Sequence, residues 1–251
     1  MSLVRPYVLS IAGFDPSAGA GVLADIKTFE GAHVYGLGIS TAIAIQTDEE
    51  FVECRWEKLE VIQQQITLLF NRFSPKVVKI GIVPSLPFLN SMIDTIFSCD
   101  TEVRIIWDSV YTSSTGFQFI EENWTDRELY SILKRIYLLT PNVQEASVLA
   151  NEKEAITAAK KLSEYCHVLL KGGHSNLSSS TDILFSQGNE KHFAQERLQN
   201  ISKHGSGCVL SSAIAAYVAK GESLESACAL AKKYIHVFLK SSNSLLGYHV
   251  G

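Results

Sequence analysis

Val77-Val78-Lys79-Ile80-Gly81 and Arg104-Ile105-Ile106-Trp107-Asp108 enclose a stretch, Leu86 to Phe97, whose apolar residues recur at helical spacing. Both flanking runs are almost continuously apolar rather than alternating, as expected of strands covered on both faces. A strand, a helix and a second strand in that order form a crossover unit with parallel strands. Outward from this unit the pattern repeats. Tyr7-Val8-Leu9-Ser10-Ile11-Ala12, Ile39 to Ile45, Ile136-Tyr137-Leu138-Leu139-Thr140 and His167-Val168-Leu169-Leu170-Lys171 read as further strands. Helical periodicity fills Glu57 to Phe70, Asp126 to Lys134, Asn142 to Leu149, Glu152 to Tyr165, Cys208 to Lys220 and Ser223 to Lys240. Segment 181–202 reads as a hairpin at the sheet edge. The expectation is one α/β domain over residues 1–251, with a mostly parallel central sheet and an edge hairpin.

Composition narrows the classes of function. Hydrophobic residues make up 46% and charged residues 19% of the 251, enough for a large core and too little charge for a disordered chain. A net charge of −4 argues against a nucleic-acid or anionic-membrane partner. No apolar run approaches the roughly 18 residues of a membrane span. Met1-Ser2-Leu3-Val4-Arg5-Pro6 lacks the pattern of a secretory signal. The five cysteines, Cys54, Cys99, Cys166, Cys208 and Cys228, are odd in number and widely spaced. They read as reduced thiols of a cytoplasmic protein rather than as a disulfide framework or zinc site.

Open parallel sheets bind ligands beyond the carboxyl ends of their strands. Five polar or small-residue segments stand at such ends. Gly13-Phe14-Asp15-Pro16-Ser17-Ala18-Gly19-Ala20-Gly21 follows the first strand; it is either a tight turn or a place where backbone approaches a ligand. It fits neither the dinucleotide fingerprint nor a P-loop. Asp108 can hold a hydrated Mg²⁺ or cap the next helix. Asn142 and Glu145, in Thr140-Pro141-Asn142-Val143-Gln144-Glu145, share one helix face, as a capping box or as polar groups of a site. Lys171, before Gly172-Gly173-His174, is suited to neutralise phosphate. Gly205-Ser206-Gly207-Cys208 opens a long apolar helix, so its bare N–H groups and helix dipole favour an anion. Cys208 there reads either as a buried thiol in a turn or as a thiol of lowered pKa that can accept a proton. A carboxylate pair, a lysine, an anion-binding helix terminus and a base are the parts phosphoryl transfer needs.

Further motifs accompany these: Ala24-Asp25-Ile26-Lys27-Thr28-Phe29, Val34-Tyr35-Gly36 and Lys79-Ile80-Gly81. In this order, the segments make the chain resemble, over nearly its full length, the hydroxymethylpyrimidine/phosphomethylpyrimidine kinases of thiamine biosynthesis, in the ribokinase-like superfamily. The resemblance implies a three-layer α/β/α kinase, often a homodimer. Such a kinase moves the ATP γ-phosphoryl onto 4-amino-5-hydroxymethyl-2-methylpyrimidine and/or its monophosphate. It further implies that Gly205, Ser206 and Gly207 form the anion hole and that Cys208 is the base. Asn142 and Glu145 would act through Mg²⁺ with Asp108 nearby, Asp108 and Glu145 being the metal carboxylates. Lys171 would neutralise the phosphates. Gly13, Asp15, Ala20, Gln46, Ile82 and Val110 would face the pyrimidine, with Gln46 reading its ring edge.

The chain departs from the family pattern at Phe14, Leu23, Thr47, Ile82 and Ser109, and Ser206 replaces a threonine with retention of the hydroxyl. Lys203 is either an exposed loop lysine or an added cation beside the phosphates. Two alternatives follow. One is a pyridoxal kinase, which also phosphorylates a hydroxymethyl on an aza-aromatic ring. The other is a catalytically silent pyrimidine-binding sensor.

Overall fold

The computed structural model describes residues 5–113, 116–121, 124–172, 179–199 and 201–249. Gly173, His174 and Ser178, adjoining the Lys171 motif, lie outside the described residues. Chain order is β1 (Tyr7–Phe14), α1 (Gly21–Gly31), β2 (Tyr35–Gln46), β3 (Phe51–Trp56), α2 (Leu59–Phe73), β4 (Val77–Ile80), α3 (Leu86–Cys99), β5 (Arg104–Trp107) and α4 (Asp126–Leu133). There follow β6 (Leu138–Leu139), α5 (Val143–Ala150), α6 (Ala155–Ser163), β7 (His167–Leu170), β8 (Ser179–Ser186), β9 (Asn189–Glu196), α7 (Ser206–Ala219) and α8 (Leu224–Lys240).

The near-continuous apolar runs have a simple cause: successive side chains of each strand enter two different cores. Leu9, Val78, Ile105, Leu139 and Val168 pack with α2, α3, α4, α5 and α6 on one face. Val8, Val77, Ile106, Leu138 and Leu169 pack with α1, α7 and α8 on the other. The result is the expected three-layer α/β/α arrangement, a ribokinase-like fold.

The described strands form one sheet in the order β3-β2-β1-β4-β5-β6-β7-β8-β9. Strands β2, β1, β4, β5, β6 and β7, neighbours in that order, are mutually parallel. The predicted edge hairpin is β8–β9, closed by Gln187 and Gly188, both at positive φ as a type I′ turn requires. The opposite edge differs from expectation. Phe51–Trp56 pairs antiparallel with β2, an added strand that too few apolar alternations announced. The predicted strand Ile136 to Thr140 shortens to Leu138–Leu139.

Candidate active site

The strand order reverses between β1 and β4, whose connections run to opposite sides, and a crevice opens there at the carboxyl ends. A cavity of about 660 Å³ occupies it. Helix α7 packs across β1 and β4 and points its N-terminus into the cavity. The helix starts sharply because Gly205 takes a φ of +70°, and a Cβ there would lie 2.0 Å from the Gly19 carbonyl oxygen. Loop 17–21 therefore lies directly on the anion turn. A Cβ on Gly207 would come within 3.4 Å of the Lys171 Nζ, so the bare backbone there adjoins a cation.

Cys208, Ser211 and Ser212 share one face of α7, and two buried ion pairs meet that face. In the first, Lys171 Nζ lies 2.9 Å from Asp108 Oδ1 and 3.6 Å from Glu145 Oε2. Thr140 Oγ1 and Ser211 Oγ donate to the fully buried Asp108 carboxylate, each at 3.1 Å. Burial raises the pKa of Asp108, but Lys171 and then Lys79 outweigh it and hold the carboxyl below its usual range. Burial dominates at Glu145 and raises its pKa, with Lys171 opposing.

In the second pair, Lys79 Nζ donates to both oxygens of Asp25, at 3.0 and 2.9 Å. Ser10 Oγ and Ser212 Oγ donate to the same carboxylate at 2.5 and 2.6 Å. Lys79 and Asp25 are both 0% exposed. Burial disfavours the ammonium, but Asp25 more than restores it and raises the Lys79 pKa. This pair was not assigned a role from the sequence. A signal existed: a lysine inside the apolar run Val77-Val78-Lys79-Ile80, covered on both faces, requires a buried partner.

The candidate site residues Gly13, Asp15, Ala20, Gln46, Ile82, Asp108, Val110, Asn142, Glu145, Lys171, Lys203 and Gly205 to Cys208 all line this cavity. Several have other commitments there. Asn142 and Glu145 form a complete capping box: Asn142 Oδ1 accepts from Glu145 N at 2.9 Å, and Glu145 Oε2 from Asn142 N at 2.7 Å. Asp15 turns inward, accepting from Ser17 N, Ala20 N and Ser17 Oγ, and it pairs with His204 Nε2 at 2.9 Å. Burial raises its pKa, but His204 and the other donors prevail and hold it at about 2. Its visible task is to build the loop, rather than to present a free carboxylate to a ligand.

Lys203 is neither an exposed lysine nor an uncommitted cation: it is 6% exposed, and its ammonium donates to the carbonyl oxygens of Ser242 and Ser244. Cys208 also corrects expectation. Burial pushes its thiol up to about 11, outweighing the opposing pull of Lys79, so the net shift is upward and not downward. Sequence reasoning missed Phe51 and Phe119 near Gln46, and Ile235, Leu239 and Leu245 on the α8 side. They belong to ordinary apolar patterns, and only packing brings them to the cavity.

Among the described residues no group of three His, Cys, Asp or Glu side chains is disposed to hold a metal alone. A magnesium ion needs less, since it keeps most of its waters and takes one or two carboxylates plus substrate phosphates. Glu145 on the cavity wall, with Asp108 beside it, fits that demand.

A parallel sheet with a cation and a helix N-terminus at its switch point is an arrangement suited to a small-molecule phosphotransferase. The phosphomethylpyrimidine kinase family matches over residues 15–251. The hydroxymethylpyrimidine/phosphomethylpyrimidine kinase of Aquifex aeolicus is 32% identical over 250 residues, 96% of this chain and 98% of that one. Among solved structures, phosphomethylpyrimidine kinase from Clostridium difficile is 29% identical with a TM-score of 0.76, over 92% of this chain and 98% of that one. An ADP complex of Bacillus subtilis pyridoxal kinase is 25% identical with a TM-score of 0.85, over 98% and 97%. The chain belongs to the phosphomethylpyrimidine kinase family, and is a kinase.

Proposed function

We propose that this chain, as one ribokinase-like domain, phosphorylates 4-amino-5-hydroxymethyl-2-methylpyrimidine and/or its monophosphate with ATP, in thiamine biosynthesis. The observation that carries the reading is Lys171, held by Asp108 and Glu145 beside the bare N-terminus of α7, in a member of this family. The substrate hydroxyl oxygen attacks the γ-phosphorus and gives its proton to Cys208 in its thiolate form, which becomes the neutral thiol, as the bond to ADP breaks. Lys171 and the anion turn of Gly205, Ser206 and Gly207 take up the charge on the moving phosphoryl oxygens, although the Ser206 N–H itself donates to Lys203 O at 3.3 Å. Glu145 and Asp108 would hold a bound Mg²⁺, which would supply further neutralisation of the phosphate charge. Gly13, Ala20, Gln46, Ile82 and Val110 face the pyrimidine end, and Asn142 stands near the phosphates. ATP use accords with the ADP bound by the related pyridoxal kinase.

Pyridoxal is the second substrate to weigh, favoured by the likeness to that pyridoxal kinase and by Ile82 beside Gly13. ADP release measured with hydroxymethylpyrimidine, its monophosphate and pyridoxal decides between them. Faster turnover of pyridoxal would overturn the pyrimidine reading, and pyrimidine binding with no Mg²⁺-dependent turnover would mean a sensor. Glu145→Gln should raise the Mg²⁺ concentration for half-maximal rate by about tenfold, the lower end for groups that orient a metal's ligands. An unchanged Mg²⁺ dependence would remove Glu145 from that role.

A cytoplasmic homodimer is the accompanying expectation. Ile43, Ile45 and Val52 stand exposed on the β2–β3 edge, a surface suited to a second copy. All five cysteines are unpaired, as in a reducing compartment. No described helix is long and apolar enough to cross a membrane.

A further inference from the structure

Residues 241–249 leave α8 and run as a strap beneath the anion turn. His204 N donates to Leu245 O at 2.9 Å, and Lys203 Nζ donates to Ser242 O at 2.6 Å and to Ser244 O. The strap is internally braced: Ser242 Oγ and Ser244 Oγ both donate to Leu246 O, at 2.6 and 3.0 Å. Leu246 packs against Gly19, whose hypothetical Cβ would meet it at 2.8 Å. Beyond it, the His249 ring lies 4.8 Å from that of Phe238, with Nδ1 3.1 Å from Tyr234 Oη. The strap thus starts on α8, passes Lys203, His204 and loop 17–21, and is pinned again on α8. Leu245 meanwhile forms part of the cavity wall.

A lysine that is almost wholly buried must satisfy its ammonium locally. Here carbonyl oxygens do so, and they belong to a segment some forty residues further along the chain. The residue after Lys203 is bound twice, by its N–H to Leu245 O and by its ring to Asp15. The residue after that, Gly205, is the N-cap of α7.

We propose that Lys203 is a positioning residue, which locks the strap onto the turn before α7 and so holds the anion-binding N–H groups where the phosphoryl group passes. The ammonium is spent on main-chain oxygens rather than on a phosphate. Displacing such donors by an ångström is enough to cost about 10²-fold in rate. The inference rests on the kinase reading for its catalytic consequence, although its structural half needs no substrate.

Hydrogen exchange of the strap, followed by mass spectrometry without nucleotide, tests the structural half in Lys203→Met, Lys203→Arg and Leu246→Ala. Exchange in 241–249 should quicken at least about tenfold in Lys203→Met, and Lys203→Arg, which keeps a donor, should recover part of the protection. Steady-state kinetics should then show kcat lowered about tenfold or more with KM for ATP nearly unchanged. Leu246→Ala should reproduce both effects, and the double variant should lose less than the sum of the two. Unchanged strap exchange in Lys203→Met, with a raised and salt-sensitive KM for ATP, would overturn the proposal and make Lys203 a phosphate cation. Should Lys203→Met not fold, Lys203→Arg and Leu246→Ala decide by the same readouts, and a Leu246→Ala variant with native kcat would overturn it. Loosened straps in a protein that turns over none of the tested substrates would count against the kinase reading alone.

Discussion

Cys208→Ala should lower kcat by about 10²–10⁴, the range for loss of a general base, with little change in substrate binding. The side chain starts on the first turn of α7, on the face shared by Ser211 and Ser212, and it lines the cavity. Alanine keeps the helix and its N–H groups, so the anion hole survives and the proton acceptor goes. The pH dependence sharpens the test. Burial pushes the free thiol up to about 11, with Lys79 pulling the other way. A base acts deprotonated, and the thiolate fraction grows about tenfold per pH unit below that value. The profile of kcat/KM, which reports the free enzyme, should therefore keep rising beyond pH 8 and lose this limb in Cys208→Ala. Near-wild-type turnover in the variant would take Cys208 out of the mechanism.

Lys79→Met should destabilise the fold by about 3–5 kcal/mol, the cost of leaving one member of a buried ion pair without its partner. Asp25 has Ser10 and Ser212 as further donors, yet neither supplies charge. At 0% exposure the carboxylate is left as a buried charge without a counter-ion. Replacing both members, as Asp25→Leu with Lys79→Met, should recover much of the loss, since a buried pair costs desolvation at both ends. Urea unfolding of the three proteins measures this, and a change below about 1 kcal/mol in Lys79→Met would mean that the pair contributes little. The four groups join β1, α1, β4 and α7 directly under the anion turn, so the same variant should also impair turnover in whatever fraction folds.

The strand-helix-strand unit at 77–108 was legible because its runs are bounded by Gly, Asp and helix-period segments. The same reading located Asp108, Lys171 and Gly205–Cys208 at strand ends and helix starts, where all of them indeed line the cavity. The capping box of Asn142 and Glu145 was legible too, since it depends on a spacing of three. The antiparallel strand Phe51–Trp56 was not. It is an exposed edge strand whose stability comes from pairing with β2, and its own pattern is mixed.

Residue order and type alone indicate the α/β class, the carboxyl ends of the strands as the place of the candidate site and the kind of chemistry its side chains can perform. These follow from periodicity and from functional groups, which are local properties, whereas the strand order that makes this a switch point is tertiary. The partners of the charges belong to the tertiary structure alone. Lys79 meets Asp25, Lys203 meets the carbonyls of Ser242 and Ser244, and Asp15 meets His204, all far apart in the chain. The sign of the Cys208 shift is decided there as well. A helix start and nearby cations favour the thiolate, burial opposes it more strongly, and burial exists only once distant segments have closed over the site.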